Sequence, residues 1–143
     1  MARLPDRLIY VCSKVAEIPL WQDLRAQGLP IISRWIDLPD FVENNREAAD
    51  NLWHEMIAPD MRRATDMLVF QRRRTDMFKG ALLEIGMAMG HQLPLMVASP
   101  LGQKTRREAW GTWITASNVQ HCFGLKTALA TLGYPHLKIP RTT

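Results

Sequence analysis

A chain of 143 residues with formal net charge +4 is sized for one domain that buries its own core without disulfides or metal. That charge suits an anionic ligand, is too small to imply nucleic acid, and comes with no apolar run long enough to span a bilayer. The start, MARLPDRLIYVC, lacks the pattern of a signal peptide, and Cys12 and Cys122 are too isolated for a disulfide framework or a zinc site. The expectation is a cytoplasmic protein with two reduced core thiols.

In chain order, Leu8 to Cys12 is a short apolar, β-favouring run and predicts a buried first strand. Pro19 opens a helix with Leu20, Trp21 and Leu24 on one face, and Gly28 closes it. Pro30-Ile31-Ile32 begins a second strand that continues toward Trp35-Ile36. Ala48, Ala49, Leu52, Trp53, Met56 and Ile57 recur at helical spacing, and Pro59 is expected to end or bend that amphipathic helix. Met67 to Phe70 is the third strand, preceded by Asp66 and followed by the basic loop Gln71-Arg72-Arg73-Arg74.

The next helix carries Glu84, is apolar on nearly every face and ends at Gly90, and residues 93–97 form the fourth strand. A basic linker around Lys104-Thr105-Arg106-Arg107 leads to Trp110 and Trp113, read as a lid or a subunit contact. A fifth strand near Val119 precedes a last helix, Leu125 to Leu132, and the tail from Tyr134 on, with two prolines, is expected to be irregular. Strands alternating with helices predict a parallel sheet covered on both faces. Five such units predict a single-domain, flavodoxin-like three-layer sandwich of strand order 2-1-3-4-5.

In such sheets ligands bind beyond the carboxyl ends of the strands, where the strand order reverses. The loops that reach this point are Ser13-Lys14-Val15-Ala16 and Gln71 through Gly80. The second runs directly into the helix of Glu84, whose helical neighbours Gly80, Ala81, Met87 and Ala88 offer it no polar partner. The helix dipole favours its ionised form while burial opposes it, and an ionised, poorly solvated carboxylate at a crevice is suited to act as a nucleophile. The competing reading pairs it with a distant cation such as Lys14 or Arg72.

The segments IYVCSK, RWID at 34–37, ATDMLVF at 64–70 and KGALLEIGMAMGHQLPLMV at 79–97 occur in an order that resembles the nucleoside 2-deoxyribosyltransferase family, including its bacteriophage-type members and nucleotide N-hydrolase relatives. The similarity covers roughly the first two thirds of the chain. Its best piece, Gly80-Ala81-Leu82-Leu83-Glu84-Ile85-Gly86-Met87-Ala88, is similar to the family's stretch around its catalytic glutamate. The resemblance implies that Glu84 attacks the anomeric carbon of the sugar. It implies that Asp66 orients Glu84 or assists the leaving base, that Tyr10 and Ser13 meet sugar and base, and that Asp37 reads the base. Lys14, Trp35, Lys79 and Gly80 complete the expected substrate contacts. On the residues alone, the alternatives are a cap or turn residue for Asp66, a core residue for Tyr10 and Trp35, and a solvated loop aspartate for Asp37.

The implied reaction is a retaining cleavage through a glycosyl-enzyme ester, followed by transfer to a second base or by hydrolysis, with no metal or organic cofactor. Arg72 and Arg73 are candidate phosphate contacts, in a basic set that includes Arg74, Lys79, Lys104, Arg106 and Arg107; the alternative is a solvated basic loop. Phe78 stands where the family's nucleoside transferases carry aspartate and its nucleotide hydrolases serine, so neither substrate rule transfers. Expected partners are a nucleoside or nucleotide and further copies of the chain, a homodimer or larger, without membrane or nucleic acid. Hydrolysis of a nicotinamide–ribose bond and non-catalytic nucleotide sequestration are the competing functions.

Overall fold

The structure is a computed structural model that describes residues 6–38 and 45–141. Its centre is a run of three strands, β1 (Ile9–Cys12), β2 (Asp66–Phe70) and β3 (Leu95–Ala98), buried at every position. Continuous apolar strands of this kind are covered on both faces, and the period-2 alternation that marks a half-exposed sheet is missing from them. A fourth strand, β4 (Val119–Cys122), is buried only at Val119 and lies at the sheet's edge. All neighbours run parallel, in register Tyr10 to Met67, Met67 to Leu95 and Leu95 to Val119.

The architecture is therefore α/β with a four-stranded sheet in the order β1-β2-β3-β4, and the five-stranded order 2-1-3-4-5 expected from the sequence does not form. The missing strand is the segment after Pro30. It makes one parallel bridge, Ile31 to Ile9, flanked by Ile9 N–H donating to Pro30 O at 2.9 Å and Ile32 N–H donating to Ile9 O at 3.0 Å. Beyond this point side chains replace backbone. Val11 N–H donates to Ser33 Oγ at 2.8 Å, and Trp35 Nε1 donates to Val11 O at 2.9 Å. With both outward groups of Val11 satisfied, the chain turns into a 3₁₀ helix over Arg34–Asp37 instead of extending.

Helix α1 (Ile18–Ala26) has Pro19 in its first turn and buries Leu20, Trp21 and Leu24 as its spacing predicts. The segment with Trp53 is helical from Arg46 to Arg63: α2 (Arg46–Asp50), a π-helical stretch Asn51–Ile57 and α3 (Ala58–Arg63). Pro59 does not end it. Proline cannot serve the carbonyl four residues back, and Glu55 O instead accepts Arg34 Nη2 at 2.9 Å. Helices α4 (Gly80–Gly90), α5 (Gln103–Trp110) and α6 (Leu125–Leu132) complete the layers. The tail is irregular through Arg141, and its last two residues lie outside the described ones. Among the described residues no helix is long and apolar enough to cross a membrane.

Candidate active site

Alternation along β1 sends Tyr10 and Cys12 to the same face of the sheet, and α4 packs over that face. The helix starts at Gly80, which packs against the Trp53 ring closely enough that a Cβ there would touch two of its atoms at 3.4 Å. Trp53 thereby rests on the helix start. One turn further on, Glu84 is only 7 % exposed and turns toward β1. Its Oε1 accepts a hydrogen bond from the Tyr10 hydroxyl, and its Oε2 faces the Cys12 thiol at 3.5 Å. The same thiol lies 3.7 Å from Ala81 O.

Glu84 thus has partners, contrary to its isolation on its own helix, but they are neutral donors from β1 and neither Lys14 nor Arg72. Burial pushes its carboxyl up to about 7, against the downward pull of the Tyr10 and Cys12 hydrogen bonds. Burial and the neighbouring Glu84 charge raise Tyr10 and Cys12 as well, so both remain protonated donors. Burial therefore opposes the ionised form of Glu84 near neutral pH, the opposition expected from its place in an apolar helix.

Glu84 forms part of the lining of a crevice of about 460 Å³. Its walls are largely aromatic and apolar, with Trp35, Trp53 and Phe78 joined by Leu52, Ile57 and Met77. Trp35 is fixed by its bond to Val11 O. Phe78 is backed by Trp110 at 5.1 Å between ring centres, and Trp110 stacks in turn on Trp113 at 6.2 Å. Those two tryptophans therefore buttress a wall of the site. Ser13, Lys14 and Lys79 are the crevice's other polar residues, together with the glycine that opens α4. Trp21 Nε1 donates to Ser13 Oγ at 2.8 Å. Lys14 pairs with Asp76 at 3.1 Å. Burial alone would raise Asp76, but the Arg73 N–H and the Lys14 ammonium outweigh it and hold the carboxyl below its ordinary range. Lys79 has no ion-pair partner among the described residues.

Of the residues marked from sequence, the crevice gathers Glu84, Ser13, Lys14, Trp35, Lys79 and Gly80, with Tyr10 behind Glu84. It does not gather the others. Asp66 is the first residue of β2, at the amino end of the strand, while the crevice opens beyond the carboxyl ends. Its carboxylate accepts Arg7 Nη1 at 2.7 Å and the Thr65 hydroxyl at 2.8 Å. Asp37 faces outward in a bidentate pair with Arg25 at 2.8 and 2.7 Å. Arg72 is taken by Glu17, with two contacts at 2.8 Å, and Arg73 is an exposed loop residue that offers Asp76 its backbone N–H. Arg106 is buried against Ser99 O and Cys122 O, both at 2.8 Å. Of the basic set, only Lys79 lines this crevice.

Three contributors escaped the sequence reading. Cys12 reads as a core thiol, although its two-residue spacing from Tyr10 places it on the same face. Trp53 reads as core because its helix face is apolar throughout. Phe78 reads only as a departure from a family pattern. Fold and site together define an α/β protein with a buried carboxylate at an aromatic crevice. No protein-family model matches the chain, and no curated protein matches it.

Proposed function

We propose that this chain cleaves, or transfers across, the N-glycosidic bond of (deoxy)nucleosides or their 5′-monophosphates, with Glu84 as nucleophile. The observation that carries the reading is a carboxylate nearly removed from water, held by two neutral donors, and directed at a crevice with three aromatic rings. Among the described residues no cation pairs with it, so its charge is available to an electron-poor carbon. Attack at the anomeric carbon passes through an oxocarbenium-like transition state, which that negative charge stabilises, and yields a glycosyl ester. Water or a second base then displaces Glu84 with net retention.

The aromatic walls suit a planar base, which buries its faces against Trp35, Trp53 or Phe78. Lys14 and Lys79 suit an anionic substituent such as a 5′-phosphate. Arg72 and Arg73 have no part in this reading, and neither Asp66 nor Asp37 assists the leaving base. Among the described residues, the ammonium groups of Lys14 and Lys79 can donate to that base, whereas the Ser13 hydroxyl already donates to Lys14 O at 3.0 Å. The resemblance of the Glu84 segment to the nucleoside 2-deoxyribosyltransferase family supports the same chemistry. Exposed Val15, Met77, Leu82 and Leu83, on the crevice lining and on α4, support a homodimer that covers this edge. Unpaired Cys12 and Cys122 suit a reducing, cytoplasmic setting.

The test is mass detection of a sugar adduct on Glu84 after mixing the chain with a panel of nucleosides and 5′-monophosphates. An adduct on Glu84, absent from Glu84→Gln, is the expected result. A ligand retained tightly and returned intact, with no adduct, would move the reading to sequestration. Release of nicotinamide from a dinucleotide, with no other base freed, would move it to that bond. Faster turnover of a 5′-monophosphate than of its nucleoside is expected from the two lysines.

A further inference from the structure

The two oxygens of Glu84 are not equivalent. Oε1 is held by a phenol, a strong donor, while Oε2 meets only a thiol at 3.5 Å. A hydroxyl donor withdraws much more electron density from a carboxylate than an S–H does. The oxygen left with the weaker donor keeps the more available lone pair.

Cys12 is also placed between two acceptors. Its sulfur is 3.5 Å from Glu84 Oε2 and 3.7 Å from Ala81 O, a carbonyl of the same helix one turn earlier. The residue is fully buried, so its single proton cannot turn to water. When Glu84 is a carboxylate, the charge draws the S–H to Oε2. When Oε2 is neutral, as an acid or an ester, Ala81 O is the better acceptor. Neither state strands a buried donor.

We propose that Oε2 is the atom of Glu84 that bonds to the anomeric carbon, and that Cys12 is its positioning residue, its thiol proton moving from Oε2 to Ala81 O as the bond forms. The inference rests on the glycosidic reading above. In the step, the Oε2–carbon bond forms as the carbon–nitrogen bond breaks, the electron pair leaves with the base, and the base takes a proton from water. No oxidation state changes, and the thiol proton stays on sulfur throughout. The groups facing Glu84 are Tyr10 and Cys12 from β1, with Lys14 and Lys79 from the two loops at the crevice and Asp60 acting on Tyr10 from α3. The part of α2–α3 that lines the crevice, with Leu52, Trp53 and Ile57, presents no titratable group to it.

The experiment compares the full-length wild type with Cys12→Ala and Cys12→Ser. It follows the Glu84 carboxyl by carbon-13 NMR across pH and base release across the same range, with melting curves to verify folding. Cys12→Ala removes a donor to the carboxylate and is expected to raise the Glu84 midpoint. Cys12→Ser supplies a stronger donor and should lower it by about one pH unit. If Oε2 attacks, the serine variant also loses about tenfold in kcat on the alkaline plateau with KM unchanged, because the tighter bond must weaken in the transition state. A midpoint unmoved in both folded variants overturns the role of Cys12. A lowered midpoint with an unchanged plateau kcat overturns the assignment of Oε2. If wild type frees no base from any nucleoside or monophosphate, the parent reading fails and attack by Oε2 with it, while the NMR midpoints still report whether Cys12 sets the state of Glu84.

Discussion

Glu84 and Asp60 are both buried carboxyl groups, yet the regions around them solve burial in opposite ways. Asp60 is 1 % exposed, in α3, and takes the Arg34 backbone N–H on Oδ2 and Arg34 Nε on Oδ1, each at 2.9 Å. It joins the 3₁₀ turn to the helix behind it, a cation occupies one oxygen, and it is not part of the lining of the Glu84 crevice. Glu84 takes only neutral donors and opens onto a crevice. On the proposed reading, a charge placed for structure is compensated where it lies, whereas one placed for chemistry is held at a cost and left facing a void. The contrast predicts that activity and stability will separate between the two sites.

The largest effect expected is on activity. Glu84→Gln keeps the volume and an acceptor for Tyr10 but removes the proposed nucleophile, and base release should fall by at least about 10⁴-fold. Stability should move the other way at high pH. Glu84 binds its proton more tightly folded than unfolded, so its contribution is fully present below pH 4.5 and is lost as pH rises through about 7. The span corresponds to roughly 3 kcal/mol. Wild type should therefore melt lower at pH 8.5 than at pH 5.5 by more than Glu84→Gln does. A mutant with the same pH slope as wild type would mean that burial of this group costs nothing. Asp60→Ala is the counterpart: a loss of about 2 kcal/mol, because Arg34 N–H loses its acceptor while the half-exposed guanidinium can turn to water. Chemical denaturation would measure it, and the residual folded protein should keep its turnover number.

These contrasts were only partly legible in the sequence. Apolar runs at 8–12, 67–70 and 93–97 identify three buried strands because hydrophobic continuity is a local property. The second strand was misjudged because Ile31-Ile32 looks like its neighbours. What stops it is a long-range competition, in which Ser33 and Trp35 reach the backbone of Val11 before another strand can. Glu84 stood out because an unpartnered carboxylate in an apolar helix is visible in a single line of text. Asp66 misled because proximity to a strand does not say which end of the sheet a residue occupies. Arg72 misled for a related reason: its partner Glu17 is 55 residues away in the chain, beyond any local pattern.

A smaller effect sharpens the account of the Glu84 donors. Tyr10→Phe removes the stronger of the two hydrogen bonds that draw the carboxyl down against burial, so the acidic limb of the activity profile should move above its wild-type position near 7. At pH 7 this leaves less carboxylate and should cost about tenfold in base release, recovered in part at higher pH. A pH–rate profile checks both features. A tenfold loss with no displacement of the limb would instead assign Tyr10 to substrate binding.

The smallest effect tests where the sheet puts its chemistry. Asp66→Asn removes a carboxylate paired with Arg7 at 2.7 Å, in a bridge whose arginine is one-third exposed. Solvent screens such a pair, and the amide retains an acceptor for the Thr65 hydroxyl, so the stability loss should be about 0.5 kcal/mol. Base release should be unchanged within error at every pH. The reason is geometric: Asp66 pairs with Ile9 at the amino end of β1 and β2, whereas Tyr10 and Cys12 point their side chains to Glu84 further along the same strand. A large loss of turnover in a folded Asp66→Asn protein would mean that the reacting sugar is not held in the aromatic crevice, and the distinction between compensated and functional carboxyl groups would have to be redrawn around the other end of the sheet.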